Sequence, residues 1–134
     1  MGDNIPTDIL KQWLTAINGH DVPGLTVLMA ANFVFVDSLA NRVTGAERMG
    51  GGWRGYFAMC PDYWVRADHA IAEGQTMLIA GEAGGTIDGE SWRTPAAWKA
   101  VFHDGRIAEW HVFADNKPVY QILARRQSGP QKPS

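Results

Sequence analysis

Two aspartates close apolar runs: Asp37 follows Phe33-Val34-Phe35-Val36, and Asp115 follows the alternating stretch from Arg106 to Ala114. A carboxyl group placed where an apolar wall meets water is a candidate general acid or base. Asp37 shares a strand face with Phe33 and Phe35, so it points toward whatever those rings line. His69 is in phase with Val65, Ala67 and Ile71, and an imidazole facing the same interior would serve as an acid or orient a water. Each of the three has a plainer reading. A strand-terminal aspartate commonly caps the loop after it, Asp115-Asn116 favours a turn, and a histidine in an apolar strand is more often a core or rim residue.

Aromatic side chains supply the surroundings. Six Trp, five Phe and three Tyr in this chain either pack a bulky core or line an aromatic cavity. Trp13, Trp53, Trp98 and Trp110 fall on the apolar faces of different elements, with Phe35, Phe57 and Val112 beside them, and these seven are the candidate substrate-binding residues. Cys60, the one cysteine, excludes an internal disulfide and a Cys-based metal site within the chain. Its position before Pro61 fits a buried structural thiol. Glu109 and His111 have no third ligand near them in sequence, so neither a metal nor a cofactor is expected.

The elements that must position these residues follow from periodicity. Thr7 to Asn18 predicts a helix with Ile9, Leu10, Trp13, Leu14, Ala16 and Ile17 on one side, ended by Gly19 as a C-cap. Asp21 is the N-cap of a second, shorter helix that accepts Pro23 in its first turn, buries Leu25, Leu28 and Met29, and closes at Asn32. Phe33 to Val36 is a strand, and Ser38 to Val43 a loop. Thr44 and Glu47 have capping-box spacing for a third helix that carries Met49, Trp53, Tyr56 and Phe57 on one face, weakened by Gly50, Gly51 and Gly52. Strands follow over Tyr63–Ala72, Met77–Ile87, Ser91–Phe102 and Arg106–Ala114, with turns at Gly74, Asp88-Gly89 and Asp104-Gly105. Gly81, Gly84 and Gly85 mark strong bending or a close approach to the backbone. In the last strand Ala108, Trp110, Val112 and Ala114 alternate with Ile107, Glu109, His111 and Phe113 on the opposite face; Trp110 and Val112 make a cavity wall, while Glu109, His111 and Phe113 make an outer, dimer face. Helices followed by long antiparallel strands make an α+β domain over residues 1–124, and the polar segment 125–134 is expected to be a disordered tail.

Bulk properties bound the rest. A chain of 134 residues, 46% hydrophobic and 19% charged, holds one domain with a real core. A net charge of -2 offers no basic field to nucleic acid or anionic lipid. No run approaches the roughly 18 apolar residues of a membrane span, and the first residues lack a basic segment followed by an apolar one, so a cytoplasmic protein is expected.

Four patterns, NGHDVPGL, FVFVDS, FAMCPDYWV and DGRIAEWHVFADNKPVYQIL, in this order over roughly residues 5 to 124, resemble the nuclear transport factor 2-like superfamily, within it the ketosteroid isomerase-like and SnoaL-like polyketide cyclase branches. The resemblance implies a cone-shaped α+β barrel, with a curved, mainly antiparallel sheet wrapped around N-terminal helices, and a homodimer packed through the outer sheet face. It implies cofactor-independent isomerase, cyclase or lyase chemistry on a small hydrophobic carbonyl compound. Asp37 falls where ketosteroid isomerases keep their general base, and Trp13 and Trp98 fall where those enzymes hold the substrate oxygen. An indole N–H in those places donates one hydrogen bond and is a weaker acid than a phenol or carboxylic acid. Asp115, closing Trp110-His-Val-Phe-Ala-Asp115, matches the essential acid of the SnoaL-like cyclases. A ligand-binding or dimeric interaction module on the same fold is the alternative, because one fold hosts many chemistries.

Overall fold

The computed structural model describes residues 6–128. Four helices lie against one six-stranded sheet of strand order β2-β1-β6-β5-β4-β3, and the sheet is curved and mixed but does not close on itself. No helix among the described residues is long and apolar enough to cross a membrane.

Helix α1 (Pro6–Asn18) buries Ile9, Leu10, Trp13, Ala16 and Ile17, as its period requires. Its end differs from expectation by one residue. The left-handed position belongs to His20, at φ 54°, and not to Gly19. The His20 and Asp21 amides donate to the carbonyls of Ile17 and Ala16, a Schellman closure with a histidine where glycine is usual. Its ring is not solvated: Nε2 lies 2.8 Å from the Tyr63 carbonyl, and the imidazole stacks 4.2 Å from the Phe57 ring.

Helix α2 (Val22–Leu28) begins as predicted, with the Asp21 carboxylate accepting from the Gly24 amide at 3.0 Å. It stops at Leu28 rather than Asn32, because Met29 turns extended and starts strand β1 (Met29–Val36). That strand pairs in parallel with β6 (Arg106–Ala114), placing Phe35 opposite Trp110. The loop predicted over 38–43 contains the start of a short strand, β2 (Arg42–Thr44), antiparallel to β1. Thr44 therefore lies in the sheet and no capping box forms; Gly45, at φ 99°, is the N-cap of α3 (Ala46–Met59). Despite four glycines α3 is continuous and buries Met49, Trp53 and Phe57.

Strands β3 (Trp64–Glu73), β4 (Thr76–Ile87), β5 (Glu90–His103) and β6 form an antiparallel meander. Asp88-Gly89 and Asp104-Gly105 each have two consecutive positive φ angles, the geometry of two-residue hairpins. Along β5, Trp92, Thr94, Ala96 and Trp98 are buried on the inner face. Two register shifts overturn simple alternation. Between Ala67 and His69 the ladder slips against β4, so Val65 is buried whereas His69 and Ile71 are exposed. Between Val101 and Phe102 it slips against β6, which turns Ile107 inward to full burial instead of outward. A Cβ at Gly81 would overlap the Arg66 carbonyl, one at Gly84 the Trp64 ring, and one at Gly85 the Cys60 sulfur. The three glycines thus mark close approaches, and Cys60 is a fully buried thiol.

Helix α4 (Lys117–Ser128) is absent from the sequence-based expectation, which has a turn at its start and a disordered tail from 125. Residues 125–128 are helical, and 129–134 lie outside the described residues.

Asp62 ties the end of α3 to β4: its carboxylate accepts from the Thr86 amide at 2.7 Å and from the Thr86 hydroxyl at 2.8 Å. The hydroxyl above all, with the amide, holds the Asp62 carboxyl below its ordinary 3.8. A carboxyl lowered in the folded state stabilises above its unfolded value, and that stability is lost as pH falls through the folded value. Asp62→Asn is therefore expected to melt below the parent at about pH 7, with the gap narrowing as pH falls below 3.8. Circular dichroism melts across that range check it, and a gap that stays constant would overturn the assignment.

Candidate functional site

A cavity of about 340 Å³ opens between the concave face of the sheet and helices α3 and α4. Its construction follows from strand parity. Trp98 on β5 and Trp110 and Val112 on β6 point inward and form one wall, with Trp98 stacked on Trp110 at 5.9 Å. Phe35, opposite Trp110 in the parallel pair, continues that wall. Helix α3 lays Met49, Trp53 and Tyr56 across from it, and Tyr63 and Trp92 close one end. Val119, Tyr120 and Leu123 of α4 cover part of the opening.

Asp37 is the one carboxylate among the described lining residues, and no Lys, Arg or His is found among them. It stands at the end of β1, half-buried. Its Oδ1 accepts from the amides of Leu39 at 2.9 Å and Asn41 at 2.8 Å, and its Oδ2 accepts from the Asn41 side-chain amide at 3.1 Å. The carboxylate thus organises its own loop while bordering the cavity. Two oxygens have about four acceptor positions and three are used, which leaves Oδ2 able to accept once more. Nearby, the Asn116 amide donates to the Ser38 hydroxyl at 2.8 Å, joining the loop after Asp37 to the start of α4.

Three polar groups of the cavity can donate. Burial pushes the Tyr56 hydroxyl far above the ordinary tyrosine range, with Tyr63 adding to the shift, and burial likewise pushes Tyr63 up. Both stay protonated across the physiological range and can donate to a ligand oxygen. The Trp53 indole N–H is buried with no hydrogen-bond partner among the described residues. Burial also raises the Cys60 thiol, against the opposing pull of the Thr86 amide and the Trp92 indole. A thiol so held is a poor nucleophile. Among the described residues no group of three or more His, Cys, Asp or Glu side chains is placed to hold a metal ion.

Of the residues singled out from sequence, the structure brings Asp37, Phe35, Trp53, Trp98, Trp110 and Val112 to the cavity. Trp13 and Phe57 stand behind it. Trp13 packs on Trp53 and Trp110 at 6.3 and 5.6 Å, and Phe57 stacks on Trp53 at 5.2 Å. His69 is exposed on the other face of the sheet, sent there by the slip in β3. Asp115 is exposed outside the cavity, in a shallow groove beside the mouth, and its Oδ1 accepts from the Lys117 amide at 3.0 Å at the start of α4. Among the cavity residues that sequence reading did not single out are Tyr56, Tyr63, Trp92, Asn116 and Tyr120. The phase of Trp92 with Trp98, and of Tyr56 with Trp53, carried the signal for two of them.

This arrangement belongs to a known class. The family model of the SnoaL-like domain matches residues 10–110, and the chain belongs to that family. No curated protein matches the chain by sequence. Among solved structures it is similar to a protein of ketosteroid isomerase-like fold from Catenulispora acidiphila, solved in complex with trimethylamine, at 25% identity and TM-score 0.73 over 78% of this chain and 83% of that one. A protein described as a SnoaL-like polyketide cyclase from Shewanella denitrificans superposes with TM-score 0.78 at 15% identity, covering 88% of this chain and 96% of the other. An LEH-like epoxide hydrolase from M. tuberculosis gives TM-score 0.75 at 18% identity, covering 88% of each chain. The last two likenesses are of fold alone.

Because the Asp115 carboxylate satisfies the first free amide of α4, and an acid there suits the helix dipole, Asp115→Ala is expected to lower stability by about 1 kcal/mol. Urea denaturation measures it; an unchanged midpoint would show that the contact contributes nothing.

Proposed function

We propose that the protein is a cofactor-independent enzyme that moves a proton on a small hydrophobic carbonyl compound held in the aromatic cavity. The observation that carries the reading is Asp37, the single carboxylate among the described lining residues, with a free acceptor position in a cavity that also holds the donors Tyr56, Tyr63 and Trp53. In this reading Asp37 Oδ2 takes a proton from the carbon next to the carbonyl. The C–H electron pair moves into the new C=C bond and the C=O pair moves onto oxygen. Tyr56, Tyr63 or the Trp53 N–H donates to that oxygen as its charge grows. The same proton returned to another carbon completes an isomerisation; attack of the enolate carbon on a second carbonyl, whose oxygen takes up the C=O electron pair and then the proton held by Asp37, completes a cyclisation. The loop hydrogen bonds fix the carboxylate in place, so it needs no reorganisation before it acts.

Asp37→Asn keeps an acceptor for the Leu39 and Asn41 amides and removes the base. Against a panel of cyclic enones and diketones, the variant is expected to retain binding, read by Trp fluorescence, and to lose about 10²–10⁴-fold in kcat. Undiminished turnover would overturn the reading. A ligand-binding module is the second reading, favoured by the three loop bonds that already give Asp37 a structural task; saturable binding with no product from any compound would favour it.

The same proposal includes a homodimer through the outer sheet face, where Ile71, Leu78 and Phe113 are 74%, 55% and 49% exposed. Lone exposed apolar residues are ordinary, but Ile71 and Leu78 are paired across β3 and β4 on one face. Light scattering is expected to give twice the chain mass, and Leu78→Asp with Phe113→Asp the single mass; a monomeric parent would overturn the dimer.

A further inference from the structure

We propose that the cavity selects ligands by charge, and that its preferred occupant carries a positively charged alkylammonium group. This rests on the same cavity as the proposed function and deepens it by naming the substrate class: a hydrophobic carbonyl compound that also bears a basic nitrogen.

Three observations converge. The walls present the half-buried rings of Phe35, Tyr56 and Tyr63, and the faces of such rings are electron-rich, so they attract cations that have lost water. The single formal charge at the lining is the carboxylate of Asp37, and all three of its hydrogen-bond donors are neutral amides. Its negative charge is met by dipoles only, and its field extends into a cavity with apolar walls and little water to screen it. Finally, the described lining holds no Lys, Arg or His, so a carboxylate or phosphate entering the cavity would meet repulsion and lose its hydration with no cation in return. A neutral ligand satisfies the walls, and a cation satisfies both the walls and the charge.

The geometry also suits the proposed chemistry. An ammonium against the half-buried rings of Phe35, Tyr56 and Tyr63 shares the cavity with the Asp37 carboxylate. The positive charge would strengthen the acidity of neighbouring C–H bonds, and loss of a proton to Asp37 would give an enolate intermediate with no net charge, which regains the positive charge when the proton is returned.

The test uses unreactive ligands of one shape and three charges, titrated against the intrinsic Trp fluorescence of the full chain. Benzyltrimethylammonium is the cation, neopentylbenzene is its neutral isostere with carbon in place of nitrogen, and 3,3-dimethyl-4-phenylbutanoate is the anion. The cation is expected to bind about tenfold more tightly than the neutral isostere, and the anion more weakly than both. In Asp37→Asn, which retains the loop acceptors, the advantage of the cation is expected to shrink several-fold while neopentylbenzene binds as before. Equal affinity of cation and neutral isostere, or tighter binding of the anion, would overturn the proposal. Cation preference untouched by Asp37→Asn would overturn the role given to the carboxylate. None of these ligands turns over, so failure here leaves the proton-transfer reading to its own assay, and failure of that assay leaves this measurement intact.

Discussion

Trp13 sets the spacing on which the rest of the structure depends. It has no exposed surface, and its indole meets Phe33, Trp53 and Trp110 at tilted or edge-on angles. Rings that meet at an angle take more depth than rings laid flat, so α1 and α3 are held away from the sheet on one side of Trp110. Trp110 in turn stacks on Trp98, carrying the aromatic column onto β5. A wide spacer within a short domain leaves room beside it, and the cavity occupies that room. The question of whether the tryptophans fill the interior or line a space therefore divides by residue: Trp13 fills, Trp98 and Trp110 do both, and Trp53 bridges the two regions.

The acid at the mouth illustrates how one residue serves two ends. Asp37 binds its own loop through three hydrogen bonds, the ordinary behaviour of an aspartate after a strand. The same bonds fix where its remaining lone pair points. Structural and chemical readings of Asp37 describe the same contacts. Asp115 differs because it lies beyond the inward-facing Ala114, where the chain leaves the sheet and enters α4, and its carboxylate is taken up by the helix start.

Much of the architecture was legible because it rests on local chemistry. The Asp21 cap, the two Asp-Gly hairpins, the inward row Trp92, Thr94, Ala96 and Trp98, and the three close-packed glycines of β4 each follow from residue type and period. What escaped has a physical cause in each case. A register slip leaves no mark in the alternation of side chains, so His69, Ile71 and Ile107 were assigned to the wrong faces. Met29 joined a strand because Ile107, distant in sequence, pairs with it, and Thr44 because the chain folds back to pair it with Val34; local propensity encodes neither pairing. Helix α4 was hidden because Asp115-Asn116-Lys117-Pro118 is as good a turn as it is a helix start; packing of Val119 and Ile122 into the core decides between the two. Of the site, Asp37 and five of the seven apolar candidates were readable. Tyr120 and Asn116 were not, since they belong to the unrecognised helix and its entry.

The parallel pairing of β1 with β6 bears on how the chain reaches this state. Phe35 meets Trp110, and Val36 meets His111, across some seventy intervening residues, whereas β3 to β6 form a meander of neighbours closed by tight turns. Long-range strand pairing must be reached against loop-closure entropy, and it slows folding. On a ribosome, β1 and the helices before it emerge first and wait for the last strand to be made. The apolar faces that later wall the cavity stay uncovered through that interval. The order of synthesis thus opposes the order of assembly, and the meander is the part of the molecule able to form on its own terms.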